Sequence, residues 1–142
     1  MYRKKITYTN FNGEVVEKEF YFNLTPAEVT EMDLSEEGGL EARIKKIINE
    51  RDTTKIYPML KNIVLMSYGV RSLDGDRFEK SEAMSEAFSH TNAFSDLMMS
   101  FFEDIKNAVD FMNGISPKNS KSYYSKTTSA IQENVNKPTL VQ

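Results

Sequence analysis

The sequence predicts an α+β chain, mainly α, with an N-terminal β-hairpin packed on a small bundle of about four to five helices and a flexible C-terminal tail. Strict alternation of apolar and polar residues flanks a turn pair in the first two dozen residues. Capped stretches with apolar residues at helical spacing then run from residue 26 to residue 113. After Ile115 the composition turns abruptly to Ser, Thr, Asn and Lys. Together these give one globular domain over 1–115 and a polar, mobile tail over 116–142.

The hairpin is expected over 4–24. Ile6 and Tyr8 share one face of its first strand, because strand side chains alternate. Asn12-Gly13 tolerates the positive φ of a tight turn. On the return strand Phe20, Phe22 and Leu24 fall on one face, with Glu19, Tyr21 and Asn23 on the other. A two-stranded ribbon is barely stable alone, so that aromatic face needs a cover.

Thr25-Pro26-Ala27-Glu28 is a capping box opening a short helix over about 26–33. Gly38-Gly39 interrupts the chain before a stripe of Leu40, Ile44, Ile47 and Ile48, which predicts a helix over about 40–50. A third helix, about 54–68, presents Ile56, Met59, Leu60, Ile63, Val64 and Met66, with Pro58 near enough to its start to be tolerated. Asp74-Gly75-Asp76 marks a turn between short extended pieces, followed by a helix over about 81–89. The longest helix is expected over about 92–113, its stripe made of Phe94, Leu97, Met98, Phe101, Ile105, Ala108, Val109 and Met112. Gly114 is placed to close it in the left-handed region, and Pro117 bars continuation.

Composition excludes several classes of function. The chain of 142 residues has no Cys, which removes disulfides, thiolate catalysis and most structural zinc sites. No stretch approaches the ~18–20 apolar residues that cross a bilayer, and the N-terminus lacks the apolar block of a signal peptide. Residues 116–142 hold four lysines against one glutamate, so the body before them carries −6 of a whole-chain charge of −3. An acidic body argues against nucleic acid as a partner.

The motif search returns no catalytic, cofactor-binding or metal-binding set. His90 is the single histidine and reads as an exposed cap residue. Counted from Asp74, the cation-loop positions 5, 6 and 12 hold Phe78, Glu79 and Ser85, which fails the EF-hand pattern. Gly38-Gly39 lacks the Lys-Ser/Thr of a phosphate loop. No enzyme is expected, and the expected site of action is the cytoplasm.

What stands out is apolar excess on the long helix. Met98-Met99 and Phe101-Phe102 each place two large apolar side chains ~100° apart around the axis, so one stripe cannot hold all four. Met99 and Phe102 either pack on the hairpin aromatics or on Phe88, or form a second seam for a partner helix or for self-association. The candidate partner-binding residues are Met98, Met99, Phe101, Phe102 and Ile105.

Several segments resemble the tail assembly chaperones of long-tailed phages that infect Gram-positive bacteria. These are Lys5-Ile6-Thr7-Tyr8-Thr9-Asn10-Phe11-Asn12-Gly13, Phe20-Tyr21-Phe22-Asn23-Leu24-Thr25-Pro26-Ala27-Glu28, and Val64-Leu65-Met66-Ser67-Tyr68-Gly69-Val70. Asp74-Gly75-Asp76-Arg77-Phe78 and Phe111-Met112-Asn113-Gly114-Ile115-Ser116-Pro117 continue the likeness, in order, over about 3–117. The resemblance implies a protein that binds the helical, apolar tape measure protein before the tail tube polymerises around it, in the host cytoplasm. It also implies absence from the finished virion. A longer form made by ribosomal frameshifting and the major tail protein are further partners that it implies, with residues 116–142 joining body to extension. A phage or prophage regulatory adaptor that modulates a host protein is the competing reading. It would share all the compositional features, and the position of the gene would separate the two.

Overall fold

In the computed structural model, residues 1–35 and 53–117 are described, with positions 42, 46, 49 and 50 between them. The expected stripe of Leu40, Ile44, Ile47 and Ile48 and most of the expected tail lie outside the described residues. The chain opens with β1 (Tyr2–Thr9) and β2 (Val15–Phe22), followed by α1 (Pro26–Leu34). Then come α2 (Thr53–Ser67), β3 (Tyr68–Arg71), β4 (Phe78–Glu79), α3 (Glu82–Ser89), α4 (Asn92–Glu103) and α5 (Ile105–Ile115). The predicted class holds: α+β, mainly α, with an N-terminal hairpin and then five described helices.

The hairpin pairs Tyr2 with Phe22 through Thr9 with Val15, antiparallel throughout. Its turn is closed by Gly13 at φ 81, with the Gly13 N–H donating to the Asn10 carbonyl at 3.0 Å. The Asn10 side-chain oxygen accepts from the backbone N–H of both Asn12 and Glu14, each at 2.9 Å. The sheet does not end there. β3 pairs with β2 and β4 with β3, giving a four-stranded antiparallel sheet in the order β1-β2-β3-β4. The predicted third helix therefore stops at Ser67, and Tyr68 enters the sheet opposite Phe22.

The capping box forms as expected. The Thr25 N–H donates to Glu28 Oε1 at 2.8 Å, and the Glu28 N–H donates to Thr25 Oγ1 at 3.2 Å. Lys80 adds a long-range tie, its Nζ donating to Glu28 Oε2 and to the Asn23 carbonyl, both at 2.7 Å. Burial raises the Glu28 pKa, but hydrogen bonds from Lys80 and from the Thr25 backbone outweigh it and leave the carboxyl below its ordinary 4.5.

Two expectations about the C-terminal half need correction. The single helix over 92–113 is broken at Asp104, which is extended at φ −151 and ψ 112. Asp104 ends α4 by donating its N–H to the Ser100 carbonyl, and starts α5 by accepting the Lys106 N–H on its side chain. Asn107 Nδ2 also donates to the Ser100 carbonyl at 2.9 Å, pinning the corner. Beyond the break, Phe111 and Ile115 join Ala108, Val109 and Met112 in the core. Gly114 is not a left-handed cap. It lies within α5, where a Cβ would run into the near atoms of the Tyr2 ring.

The buried apolar residues form one cluster between the inner face of the sheet and the helices. Phe22 is its aromatic centre, with ring centroids 5.2 Å from Phe111, 5.8 Å from Phe88 and 5.8 Å from Tyr68. Tyr68 stacks on Phe88 at 4.3 Å.

Two outcomes follow from this packing. Because the Glu28 carboxyl is depressed, its contribution is complete above the unfolded pKa and disappears as pH falls through the folded one. Glu28→Gln keeps the cap and loses the Lys80 charge pair, so it should cost about 0.5–1 kcal/mol at pH 7, and the cost should shrink steadily in urea melts as pH falls below the ordinary carboxylate range. Gly114→Ala should destabilise by about 1–3 kcal/mol although Ala favours helix. In a Tyr2→Ala background the same change should become neutral or stabilising, which thermal melts of the four variants can read.

Candidate partner-binding surface

α4 sorts its side chains by face. Ala93, Phe94, Leu97, Met98 and Phe101 are buried, at the spacing of one helical side. Met98 is 1% exposed and Phe101 2%, and Phe101 packs on Phe111 at 5.4 Å. These two candidates are buried in the core of the protomer. Ile105, just past the corner, is partly buried against the same core.

Met99 and Phe102 lie on the other side of the helix, 55% and 48% exposed. They do not reach the hairpin aromatics. Phe88, the other proposed neighbour, is instead enclosed by Phe20, Phe22, Tyr68 and Phe94. Phe102 instead stacks on Tyr57 of α2, centroids 5.9 Å apart and planes 24° from parallel. Tyr57 is itself 40% exposed. Two helices thus contribute three large side chains to one apolar surface. Asp96 and Glu103 occupy the same exposed side of α4 at i−3 and i+4 from Met99, giving the surface an acidic rim.

Sequence reasoning missed Tyr57. The stripe of α2 correctly puts Met59, Leu60, Ile63 and Val64 inside, which leaves Tyr57 on the polar side. A lone aromatic off the stripe was the available signal, but its stacking partner is set by tertiary structure. Met66, expected in that stripe, is exposed at 44%. The core position one turn beyond Ile63 and Val64 falls to Ser67, whose hydroxyl donates to the Val64 carbonyl at 3.0 Å.

The other sites considered in the sequence resolve as ordinary structure. His90 is the exposed C-cap residue of α3. Asp74 braces the β3–β4 turn, accepting the Ser72 hydroxyl at 2.6 Å and the Asp76 N–H at 3.0 Å. Those two hydrogen bonds, Ser72's first, hold its carboxyl below the usual range. Among the described residues there is no cluster of His, Cys, Asp and Glu arranged to hold a metal, and no helix long and apolar enough to cross a membrane. An open groove of about 640 Å³ between α2 and α3 is lined by Lys61, Leu65, Met66, Lys80, Ser85 and Glu86, among others.

The family comparison decides what kind of protein carries this surface. A family model described as phage tail assembly chaperone matches residues 1–140, nearly the whole chain. The chain belongs to the phage tail assembly chaperone family. Curated proteins and solved structures give no match to it. Membership implies a chaperone role in tail assembly, a non-enzymatic one, and suggests binding to other tail proteins.

The division of α4 into an inner and an outer face can be checked without a partner. Met98→Ala and Phe101→Ala should each cost about 2–5 kcal/mol in chemical denaturation. Met99→Ala, on the exposed face of this chaperone, should stay within about 0.5 kcal/mol.

Proposed function

We propose that this tail assembly chaperone binds the tape measure protein and keeps its apolar helices soluble until the tail tube forms around them. The observation that carries the reading is the exposure of Met99, Phe102 and Tyr57 as one surface. Two aromatics and a methionine grouped on one exposed surface are the kind of feature that marks a contact site. Methionine adapts its shape to its neighbour, and stacked aromatic rings give a broad flat platform, so the surface suits helices of varied sequence.

The magnitudes favour many weak contacts over one tight one. Covering the exposed halves of three such side chains yields on the order of 1 kcal/mol each. Association costs at least ~4 kcal/mol, so this surface alone cannot hold a client. A long tape measure chain offers repeated apolar helices, and copies lined along it gain by multivalency. The acidic rim and the net acidic body then keep the coated complex dispersed by mutual repulsion. On this reading the chaperone acts in the infected cell and leaves before the virion is complete.

Co-expression of the full chain with the tape measure gene product tests the proposal. Met99→Asp with Phe102→Asp should lower co-purification by more than roughly tenfold. Its melting temperature should stay within about 4 °C of the parent. Normal co-purification by this folded double variant would move the client to another surface.

A further inference from the structure

β1 is an edge strand, and among the described residues no strand pairs with its outward side. The Asn10 N–H donates to the Glu14 carbonyl at 2.8 Å, which fixes the phase of the hairpin ladder. Bonded pairs alternate along an antiparallel ladder, so Tyr8, Ile6, Lys4 and Tyr2 turn their N–H and C=O groups toward β2. Arg3, Lys5, Thr7 and Thr9 turn theirs away from it. Asn92 Nδ2 donates to the Thr9 carbonyl at 2.8 Å, which agrees with this phase and closes that end. The open stretch is therefore Arg3 to Thr7.

Edges like this template strand addition, and proteins blunt them or use them. Three features favour use. β1 is eight residues long, and α4 and α5 pack against it, so the strand is held in place before any partner arrives. Arg3, Lys4 and Lys5 are all exposed, and none forms an ion pair among the described residues. Glu19, opposite Lys5 on the hairpin, accepts the Tyr21 hydroxyl at 2.8 Å instead. Three exposed cations beside outward-facing backbone groups, on an otherwise acidic body, select a partner strand by charge. A second copy of the same edge is disfavoured, because it would place six cations on one ribbon.

We propose that the outward edge of β1 docks an extended acidic peptide segment as a fifth strand of the sheet. Backbone hydrogen bonds from Arg3, Lys5 and Thr7 supply the pairing, and the three cations supply the preference for Asp and Glu. The site is separate from the apolar surface on α4 and does not depend on what that surface binds.

Amide hydrogen exchange of the full chain, read by NMR, tests this with two synthetic peptides that alternate Glu with Val or Lys with Val. The Glu/Val peptide should slow exchange of the Arg3, Lys5 and Thr7 amides by more than roughly tenfold, and the Lys/Val peptide should not. Arg3→Glu with Lys5→Glu should reverse the preference, while Lys5→Pro, which removes an outward N–H that β2 does not use, should abolish it. The reversed double variant keeps the test valid if the proline variant fails to fold. Equal binding of both peptides, or of neither, would overturn the proposal, the latter marking the cations as a guard against strand addition. Protection that rises with protein concentration alone would also overturn it, by naming a second copy as the occupant.

Discussion

The fold depends on keeping water away from one ring. Phe22 is fully buried and touches Tyr2, Tyr68, Phe88 and Phe111, which come from β1, β3, α3 and α5. Each tilted or edge-on pair adds about 0.5–1.5 kcal/mol beyond area burial, so four such pairs on one side chain tie distant parts of the chain together. A hairpin cannot supply this itself, being marginal in water. Tyr68 explains why the sheet continues past it. By leaving α2 and pairing opposite Phe22, Tyr68 stacks on Phe88 and roofs the centre from the β3 side.

Local features were legible in the sequence because their causes are local. The Thr25–Glu28 cap joins residues three positions apart, and the hairpin grows outward from a turn written in Asn12-Gly13; both appear as read. Long-range causes were not legible. The extended pieces expected on either side of Asp74-Gly75-Asp76 form β3 and β4, but nothing in them shows that Tyr68 pairs with Phe22, 46 positions earlier. Gly114 read as a helix stop because glycine commonly is one, whereas here it makes room for the Tyr2 ring. The Asp104 corner hid behind a stripe that runs through it almost in phase, and only the capping chemistry of Asp hinted at a new start. Of the candidate surface, Met99 and Phe102 were visible as excess apolar residues on a second face. Tyr57 was not, because stacking across two helices has no signature in either.

The corner at Asp104 also accounts for how α4 can leave one side open. A straight helix over 92–113 would have to satisfy the core with a single stripe along its whole length. Breaking it lets α5 turn back and bring Phe111 against both Phe22 and Phe101. The core above α4 is then filled from two directions, and the inner side of α4 needs only Ala93, Phe94, Leu97, Met98 and Phe101 to complete it. Met99 and Phe102 are left without an interior to enter.

That arrangement separates stability from any contact the outer face makes. Buried side chains and the exposed Met99 and Phe102 alternate along the same helix and face opposite sides of it. Changes in Met99 or Phe102 can follow a changing client without disturbing Phe22 and its surroundings. A chaperone whose core and contact surface were the same residues would have to partly unfold to adapt. The flat Tyr57–Phe102 stack carries the same logic one step further. Because α2 and α4 each lend one ring, the platform's position is set by two packed helices rather than by a mobile loop. An apolar helix laid on it would therefore meet a surface that is already ordered, and the ordering cost on the chaperone's side would be small.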